Sequence, residues 1–339
     1  MKSKQHIMSK TIVLKQRPKG TPKTSDFEFI EEEQPIPKEG EMLLKTKYVS
    51  VDPYLRGRMR DEKSYVEPFQ LEKPIASAIV AEVLETKHSD FKKGDFLTGM
   101  LDWKEVQAHS GKELRKVDPQ QVPLSAYLGI LGMTGLTAYF GLNRIGAPEK
   151  GETLLVSGAA GAVGSVVGQI GKIKGMQVIG IAGTDEKVAM LKDKFGFDSA
   201  INYNKVTDMA SAIKEHAPDG IDVYYDNVGG NILDAAMKNI NRFGRVVNCG
   251  AISLYNETEP PTGPRLETTL VKKSVKMQGF IVSNYENDFP EGIQQLSQWL
   301  REGKLKHEET IVEGFDQIPQ AFIDLFNGKN KGKMVVKVY

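Results

Sequence analysis

Three glycines spaced three residues apart, Gly158, Gly161 and Gly164, follow directly on the apolar run at 153–157. Glycines at this spacing permit a tight bend, let the main chain approach a pyrophosphate, and let the next helix pack close to a sheet. The N–H groups that open such a helix, reinforced by its dipole, point at phosphate. The chemistry on offer is therefore the cradling of a dinucleotide. Tight packing alone also produces such a triplet, so its surroundings carry the weight. Residues 153–171 hold no charged side chain, approaching the ~18 or more apolar residues of a membrane span. Five glycines in that run, with Ser165 and Gln169 on the helix, argue instead for a buried strand followed by a packed helix.

The elements that must position this turn follow in order. Strands are expected at 153–157, 176–182, 200–203, 221–228 and 245–251, alternating with helices at 185–195, 207–216 and 232–240. Strands alternating with helices of this length imply a doubly wound parallel sheet. Ligands then sit beyond the carboxyl ends of the strands, which places Asn227, Cys249, Gly250, Ser253 and Tyr255 beside the cofactor. Residues 254–272 hold Pro260, Pro261 and Pro264 with almost no periodicity; a loop above ~12–15 residues is usually functional or disordered, and a lid is expected here. A further strand is expected at 276–282, then an amphipathic helix at 291–301 with Ile293, Leu296 and Leu300 on one face.

Ahead of the glycine turn, residues 11–124 read as short strands and turns. Met42, Leu44, Thr46 and Tyr48 alternate with Leu43, Lys45 and Lys47 as in a half-buried strand, which Asp52-Pro53 ends. Further strands are expected at 80–84 and 96–100, with Lys93-Gly94-Asp95 as a turn. Residues 123–140 read as connecting helices that stop near Gly146-Ala147-Pro148. The tail from Thr310 returns to short strands, ending at 334–338, and is expected to complete the first domain. The fold class is thus α/β: a doubly wound parallel Rossmann sheet at 128–302, and a mostly β substrate domain at 1–127 completed by 303–339.

Composition narrows the function classes. A chain of 339 residues holds about two domains. Its net charge of +1 gives no reason to expect nucleic acid or an anionic membrane as partner. Lys2, Lys4 and Lys10 make the start basic, but the apolar core of a secretory signal is missing, and Met8 offers an alternative start. The single cysteine, Cys249, excludes an intramolecular disulfide, fits a reducing cytoplasm, and rules out zinc sites that need two or more thiolates. The five histidines, His6, His88, His109, His216 and His307, show no paired ligand spacing, so no metal is expected.

The second strand bears on cofactor choice. An NAD site usually places an Asp or Glu ~20 residues past the glycines to grip the ribose hydroxyls. This strand ends Ile181-Ala182-Gly183-Thr184, with no acid in the terminal position. Asp185 and Glu186 suit the start of the next helix, where acids complement the dipole. Lys187 lies one step further in, placed to pair with a 2′-phosphate. The pattern favours NADPH.

Several motifs together resemble the medium-chain dehydrogenase/reductase superfamily: Ser50-Val51-Asp52-Pro53-Tyr54-Leu55-Arg56, Gly132-Met133-Thr134-Gly135-Leu136-Thr137-Ala138-Tyr139, Gly158-Ala159-Ala160-Gly161-Ala162-Val163-Gly164, Asp226-Asn227-Val228-Gly229-Gly230, Cys249-Gly250-Ala251-Ile252-Ser253-Leu254-Tyr255-Asn256 and Gly328-Lys329-Asn330-Lys331-Gly332-Lys333. The chain is most similar to the zinc-free branch of prostaglandin and leukotriene reductases, plant alkenal double-bond reductases and bacterial curcumin reductases, from Thr11 onward. The resemblance implies a GroES-like substrate domain beside the Rossmann domain. It implies that Gly161, Ala162, Val163 and Gly164 hold the pyrophosphate, and that Lys187 and Tyr203 hold the 2′-phosphate side. Asn227 and the turn Cys249, Gly250, Ala251, Ile252, Ser253 and Tyr255 would line the cofactor. Phe280, Ile281 and Val282 would flank the nicotinamide, and Asn330 would close over it. A homodimer through edge strands of the nucleotide domain, including 276–282, is implied too. Ile281, Lys331 and the segment 99–103 differ from the animal members.

Without zinc no metal polarises a carbonyl, which favours conjugate reduction over alcohol–ketone interconversion. The expected reaction is hydride transfer from NADPH to the β-carbon of an α,β-unsaturated ketone or aldehyde. The enolate oxygen then needs hydrogen-bond donors in a dry pocket. Tyr255 is the first candidate, the nicotinamide ribose hydroxyl an alternative; Tyr255 or water would protonate the α-carbon, and Tyr54 would contact substrate. Each tyrosine has a plainer reading as an aromatic that fills the cleft, and Cys249 reads as a packed residue rather than a nucleophile. An NADPH quinone reductase and a non-catalytic NADPH-binding protein are the alternatives.

Overall fold

The structure is a computed structural model that describes residues 7–339; Lys2, Lys4 and His6 lie outside the described residues. The chain divides into two compact units, one of residues up to 128 with 310–329 and 334–339, the other of 129–309 with 330–333.

The first unit is mostly β. Strands β1 (Met8–Leu14) and β2 (Phe27–Glu33) form an antiparallel pair. Strands β3 (Met42–Ser50), β4 (Ala76–Thr86), β5 (Phe96–Asp102), β6 (Val106–His109) and β7 (Arg115–Val117) build an antiparallel sheet. In β3 the side chains of Met42, Leu44 and Thr46 are fully buried, as the alternation requires. A register irregularity between Thr46 and Tyr48 then changes the phase, so that Val49 and Ser50 are both buried and Tyr48 is not. Gly94 turns the chain between β4 and β5 at φ +88°. After Asp52-Pro53 the chain makes one helical turn, Leu55–Arg58.

The second unit carries six parallel strands: β8 (Thr153–Val156), β9 (Gln177–Ala182), β10 (Ser199–Asn202), β11 (Ile221–Asp226), β12 (Ile240–Asn248) and β13 (Lys276–Gly279). Their order in space is β10-β9-β8-β11-β12-β13. The chain starts mid-sheet, works outward on one side, returns, and works outward on the other, so the order reverses beside β8. All four residues of β8 are buried, as a strand covered on both faces demands.

Several boundaries differ from the sequence reading. β12 begins at Ile240 rather than 245 and takes up a register shift opposite Ile221; Phe243, at φ +63°, lies in this irregular part. β13 stops at Gly279, and residues 282–288 form a 3₁₀ segment instead of more strand. The proline-containing stretch expected as loop through 272 ends in a helix, Glu267–Lys273, none of whose residues is buried; such a helix leaves little apolar periodicity to read. The tail is not all strand. Between β14 (Glu309–Glu313) and β15 (Lys333–Lys337) it holds the helix Ile318–Phe326. That helix buries Ile318, Ala321, Phe322 and Leu325, a helical spacing available in the sequence. The sheet of the first unit runs β14-β15-β3-β4-β5-β7, with β6 also on β3.

The seven residues 303–309 stay with the second unit. Gln169, buried in the first helix after the glycine turn, explains the attachment: its Nε2 donates to Lys306 O (2.9 Å) and its Oε1 accepts from Lys306 N–H (2.8 Å). The segment 330–333 also belongs to this unit.

Candidate active site

The glycine turn is built by close approach. Gly158 stands at φ +56° and Gly161 N–H donates to Gly158 O at 3.0 Å. The helix Gly164–Ile173 then begins so near the turn that a Cβ on Gly164 would lie 2.4 Å from Gly158 O and 2.7 Å from Ala159 Cα. A Cβ on Gly161 would meet only Gly158 O, at 3.2 Å. Gly164 is thus required by helix-to-turn packing, while Gly161 faces open space. The N–H groups of Val163 and Gly164 have no backbone acceptor among the described residues. Open space in front of unpaired N–H groups at a helix start fits a pyrophosphate.

The end of β9 is shaped by a fourth glycine. A Cβ on Gly183 would lie 2.8 Å from the Tyr203 hydroxyl and 3.0 Å from its Cζ. A side chain at this position would have to displace the exposed Tyr203 ring. Asn204 Nδ2 donates to Gly183 O at 2.8 Å and fixes the Tyr203–Lys205 turn against the strand end. Thr184 caps the helix Asp185–Asp193, its Oγ1 accepting from Lys187 N–H at 3.2 Å. Burial draws the Lys187 ammonium below the ordinary lysine value; Glu186 opposes the shift and Lys331 adds to it.

The adjacent ends of β8, β11 and β12 are tied together by one residue, Asp226, whose carboxylate joins β8 to β11 and whose backbone carbonyl holds the turn after β12; the sequence reading assigned it no role. Asp226 is 1% exposed. Its Oδ1 accepts from Ser157 Oγ (2.9 Å), the Tyr224 hydroxyl (2.7 Å), and the N–H groups of Val228 (3.0 Å) and Gly229 (2.9 Å). Its carbonyl oxygen accepts from Cys249 N–H and Gly250 N–H at 2.9 and 3.0 Å. A buried carboxylate ringed by donors is tolerated where a lone one is not. Asn227, next in the chain, donates through Nδ2 to Ser157 O at 2.8 Å. The sequence cues to Asp226 are its place at a strand end and in the motif at 226–230.

The turn after β12 folds back on itself. Ile252–Leu254 make one 3₁₀ turn, and the Tyr255 hydroxyl accepts from Ala251 N–H at 3.2 Å. A Cβ on Gly250 would lie 3.0 Å from that hydroxyl. Ser253 Oγ donates to Val228 O at 2.7 Å, joining this turn to the one after β11. Cys249 is partly exposed as a residue, yet burial of its thiol pushes the pKa up to about 12, against a lowering contribution from the Tyr225 hydroxyl. It is no nucleophile.

Phe280 packs its ring toward Gly141, where an added Cβ would meet Phe280 Cζ at 2.6 Å. Ile281 caps the 3₁₀ segment, its N–H donating to Asn284 Oδ1 (3.0 Å), and Val282 opens that segment. The returning tail lies on the glycine turn. Gly332 bridges Gly161, and its N–H donates to Ala160 O at 2.8 Å. Asn330 Nδ2 donates to Gly332 O at 2.9 Å. Gly332 sits at φ +61° with Glu308 O 1.9 Å from any Cβ it might carry, so only glycine fits. Tyr54 belongs to the other unit, where burial and then the Asp52 carboxylate raise its pKa; it is thereby a hydrogen-bond donor that holds its proton firmly.

The geometry is that of a dinucleotide fold, and comparison with known proteins identifies which. A family model described as "N-terminal domain of oxidoreductase" matches residues 10–117, and one described as "Zinc-binding dehydrogenase" matches 162–298. A putative NADP-dependent oxidoreductase, YfmJ of Bacillus subtilis (strain 168), is 56% identical over 96% of this chain and 97% of its own. The 2-alkenal reductase (NADP(+)-dependent) of Nicotiana tabacum is 42% identical over 98% of both chains. The chain belongs to the prostaglandin- and alkenal-reductase branch of the medium-chain dehydrogenase/reductase superfamily. Among this branch's solved structures, CurA from Vibrio vulnificus in complex with NADPH superposes with a TM-score of 0.92 at 42% identity, covering 97% of this chain and 99% of that one.

The zinc in the name of one matching family finds no donor set among the described residues. There is one thiol, buried and held protonated. Among the described residues no three His, Cys, Asp or Glu side chains gather where they could hold a metal ion.

Proposed function

We propose that this chain uses NADPH, without zinc, to reduce the carbon–carbon double bond of α,β-unsaturated ketones and aldehydes. The observation that carries the reading is the full-length likeness to proteins named as NADPH-dependent curcumin, 2-alkenal and prostaglandin reductases. The local geometry agrees with it. Gly161–Gly164 offers the pyrophosphate cradle, and the strand end that carries an acid in NAD sites carries Gly183 under Tyr203. Lys187, half-buried beside it, is the cation for the 2′-phosphate.

When bound, NADPH supplies the hydride, taken up at the β-carbon of the alkene. The chain's own task is then to stabilise negative charge on the former carbonyl oxygen and to deliver a proton to the α-carbon. Tyr255 is our candidate for that task. Its hydroxyl accepts the Ala251 N–H, and a hydroxyl that accepts one hydrogen bond donates another more strongly. Asn227, Cys249, Gly250, Ala251, Ile252 and Ser253 form the floor on which the cofactor rests, with Phe280, Ile281 and Val282 beside the nicotinamide and Asn330 over the glycine turn. Tyr54 is our candidate for contacting substrate. We further assign a homodimer through the outer edge of β13, whose only partner among the described residues is β12, and a cytoplasmic location. Among the described residues no helix is long and apolar enough to cross a membrane.

The test follows NADPH absorbance with an enone, a quinone and a saturated ketone in parallel. Oxidation driven by the enone supports the proposal. Oxidation by quinone alone identifies a quinone reductase, and tight NADPH binding without oxidation identifies a binding protein. Tyr255→Phe is expected to lower turnover at least tenfold and to leave NADPH affinity within about twofold. Unchanged turnover would remove Tyr255 from the chemistry.

A further inference from the structure

The helix that follows β9 opens with two acids, Asp185 and Glu186, three and four residues past the strand's last residue. Acids at this place are awkward for a site that must receive a 2′-phosphate: they repel it, and they compete for Lys187. In the structure each acid is taken by a lysine that comes from elsewhere. Glu186 Oε1 accepts from Lys331 Nζ at 2.5 Å, across 145 positions of chain. Asp185 Oδ2 accepts from Lys205 Nζ, while its Oδ1 accepts from Asn202 Nδ2 at 2.8 Å.

Neither lysine arrives by accident of a loose side chain. Lys331 is flanked by Gly332, whose N–H is fixed to Ala160 O, and by Lys333, whose N–H donates to Glu308 O at 2.9 Å. The returning tail thus carries Lys331 from the glycine turn to the start of the next helix. Lys205 closes the Tyr203–Lys205 turn, which Asn204 pins to Gly183. Glu186 and Lys331 both act on the Lys187 ammonium, in opposite directions.

We propose that Lys331 and Lys205 mask the two acids, Glu186 and Asp185, and so set the site's preference for the 2′-phosphorylated dinucleotide. Lys331 pairs with the Glu186 carboxylate and so offsets the repulsion that this acid exerts on an incoming phosphate. Lys205, with Asn202, does the same for Asp185. The masking pairs act through other groups, so both lysines are specificity-determining positioning residues and need not touch the ligand. The inference rests on the NADPH reading above and adds two residues to it.

The experiment is calorimetric titration of the full-length protein with NADPH, NADH and 2′,5′-ADP. At low salt, Lys331→Met is expected to weaken NADPH and 2′,5′-ADP by about threefold to tenfold, because an unmasked carboxylate acts on a phosphate through solvent-exposed, screened space. NADH affinity stays within about twofold, and the loss shrinks in 0.5 M salt, where the Debye length is only a few Å. Glu186→Gln in the same background restores NADPH affinity to near that of the parent. The pair Lys205→Met and Asp185→Asn behaves likewise. Loss that Glu186→Gln fails to restore means that Lys331 meets the phosphate directly and overturns masking. Equal loss for NADH means that the tail has come off the glycine turn, which also overturns it. A parent protein that binds neither NADPH nor 2′,5′-ADP, or binds NADH equally well, defeats the cofactor reading itself and the inference with it.

Discussion

Replacing Gly164 by alanine tests the packing on which the dinucleotide site stands. The new Cβ would lie 2.4 Å from Gly158 O, 2.7 Å from Ala159 Cα and 3.0 Å from Gly158 C. All three are backbone atoms of the turn, so no flexible side chain can swing aside. An ordinary contact distance requires helix and turn to part by nearly ~1 Å, and overpacking of this kind costs about 1–3 kcal/mol. Alanine returns up to about 1 kcal/mol as the better helix former. A net loss of about 1–2 kcal/mol lowers the melting temperature by about 2–8 °C in a unit of this size. The displaced N–H groups of Val163 and Gly164 weaken NADPH by about tenfold to a hundredfold, the worth of one charge-assisted hydrogen bond. Gly161→Ala is the control, since its Cβ meets only Gly158 O at 3.2 Å. That variant should melt within about 2 °C of the parent while still losing NADPH affinity, because its methyl group occupies the open side of the cradle. Thermal melts and calorimetric titration of both variants read the outcome. If Gly164→Ala melts like the parent and binds NADPH equally, helix-to-turn packing does not build this site.

Three further outcomes follow from other residues. Because burial pushes the Cys249 thiol up to about 12, alkylation by iodoacetamide at pH 8 should be about a thousandfold slower in the folded protein than in denaturant, where a free thiol has pKa ~8.5. The folded rate should climb about tenfold per pH unit as the thiolate fraction rises; a pH-independent rate would contradict the assignment. Arg245→Met should destabilise the protein by about 2–4 kcal/mol, since Arg245 holds Glu152 through two donors, at 2.7 and 2.5 Å, and also reaches Gly146 O and Ala147 O; a melting shift below about 2 °C would show that the pair carries little. Asp226→Ala should cost about 3 kcal/mol or more by stranding buried donors, whereas Asp226→Asn, which keeps one acceptor oxygen, should cost less. Equal melting temperatures for the two would mean that the Oδ1 cluster is not what joins the strand ends.

The sequence by itself determined the local features. The apolar run and glycine triplet at 153–164, the alternation of strand and helix through Asn248, and the missing acid after Ala182 all follow from neighbours within a few turns of one another. The single cysteine settled the thiolate question before any fold was in hand. These signals are short-range: periodicity, turn chemistry and composition. What only the tertiary structure decided is long-range. The return of 330–333 to the glycine turn depends on Gly332 meeting Ala160 and Glu308. The Lys331 pair with Glu186 spans 145 positions, and no local pattern marks either residue. Asp226 became an organiser because two strand ends converge on its carboxylate and a third on its backbone carbonyl. The helix at 318–326 was legible by spacing, but Pro319 and the expectation of strands concealed it. β12 starts early because pairing with β11 and a shift of register overrode its local preferences. Pairings set by the path of the whole chain leave no period in the sequence, and the residues that tune this site lie on such pairings.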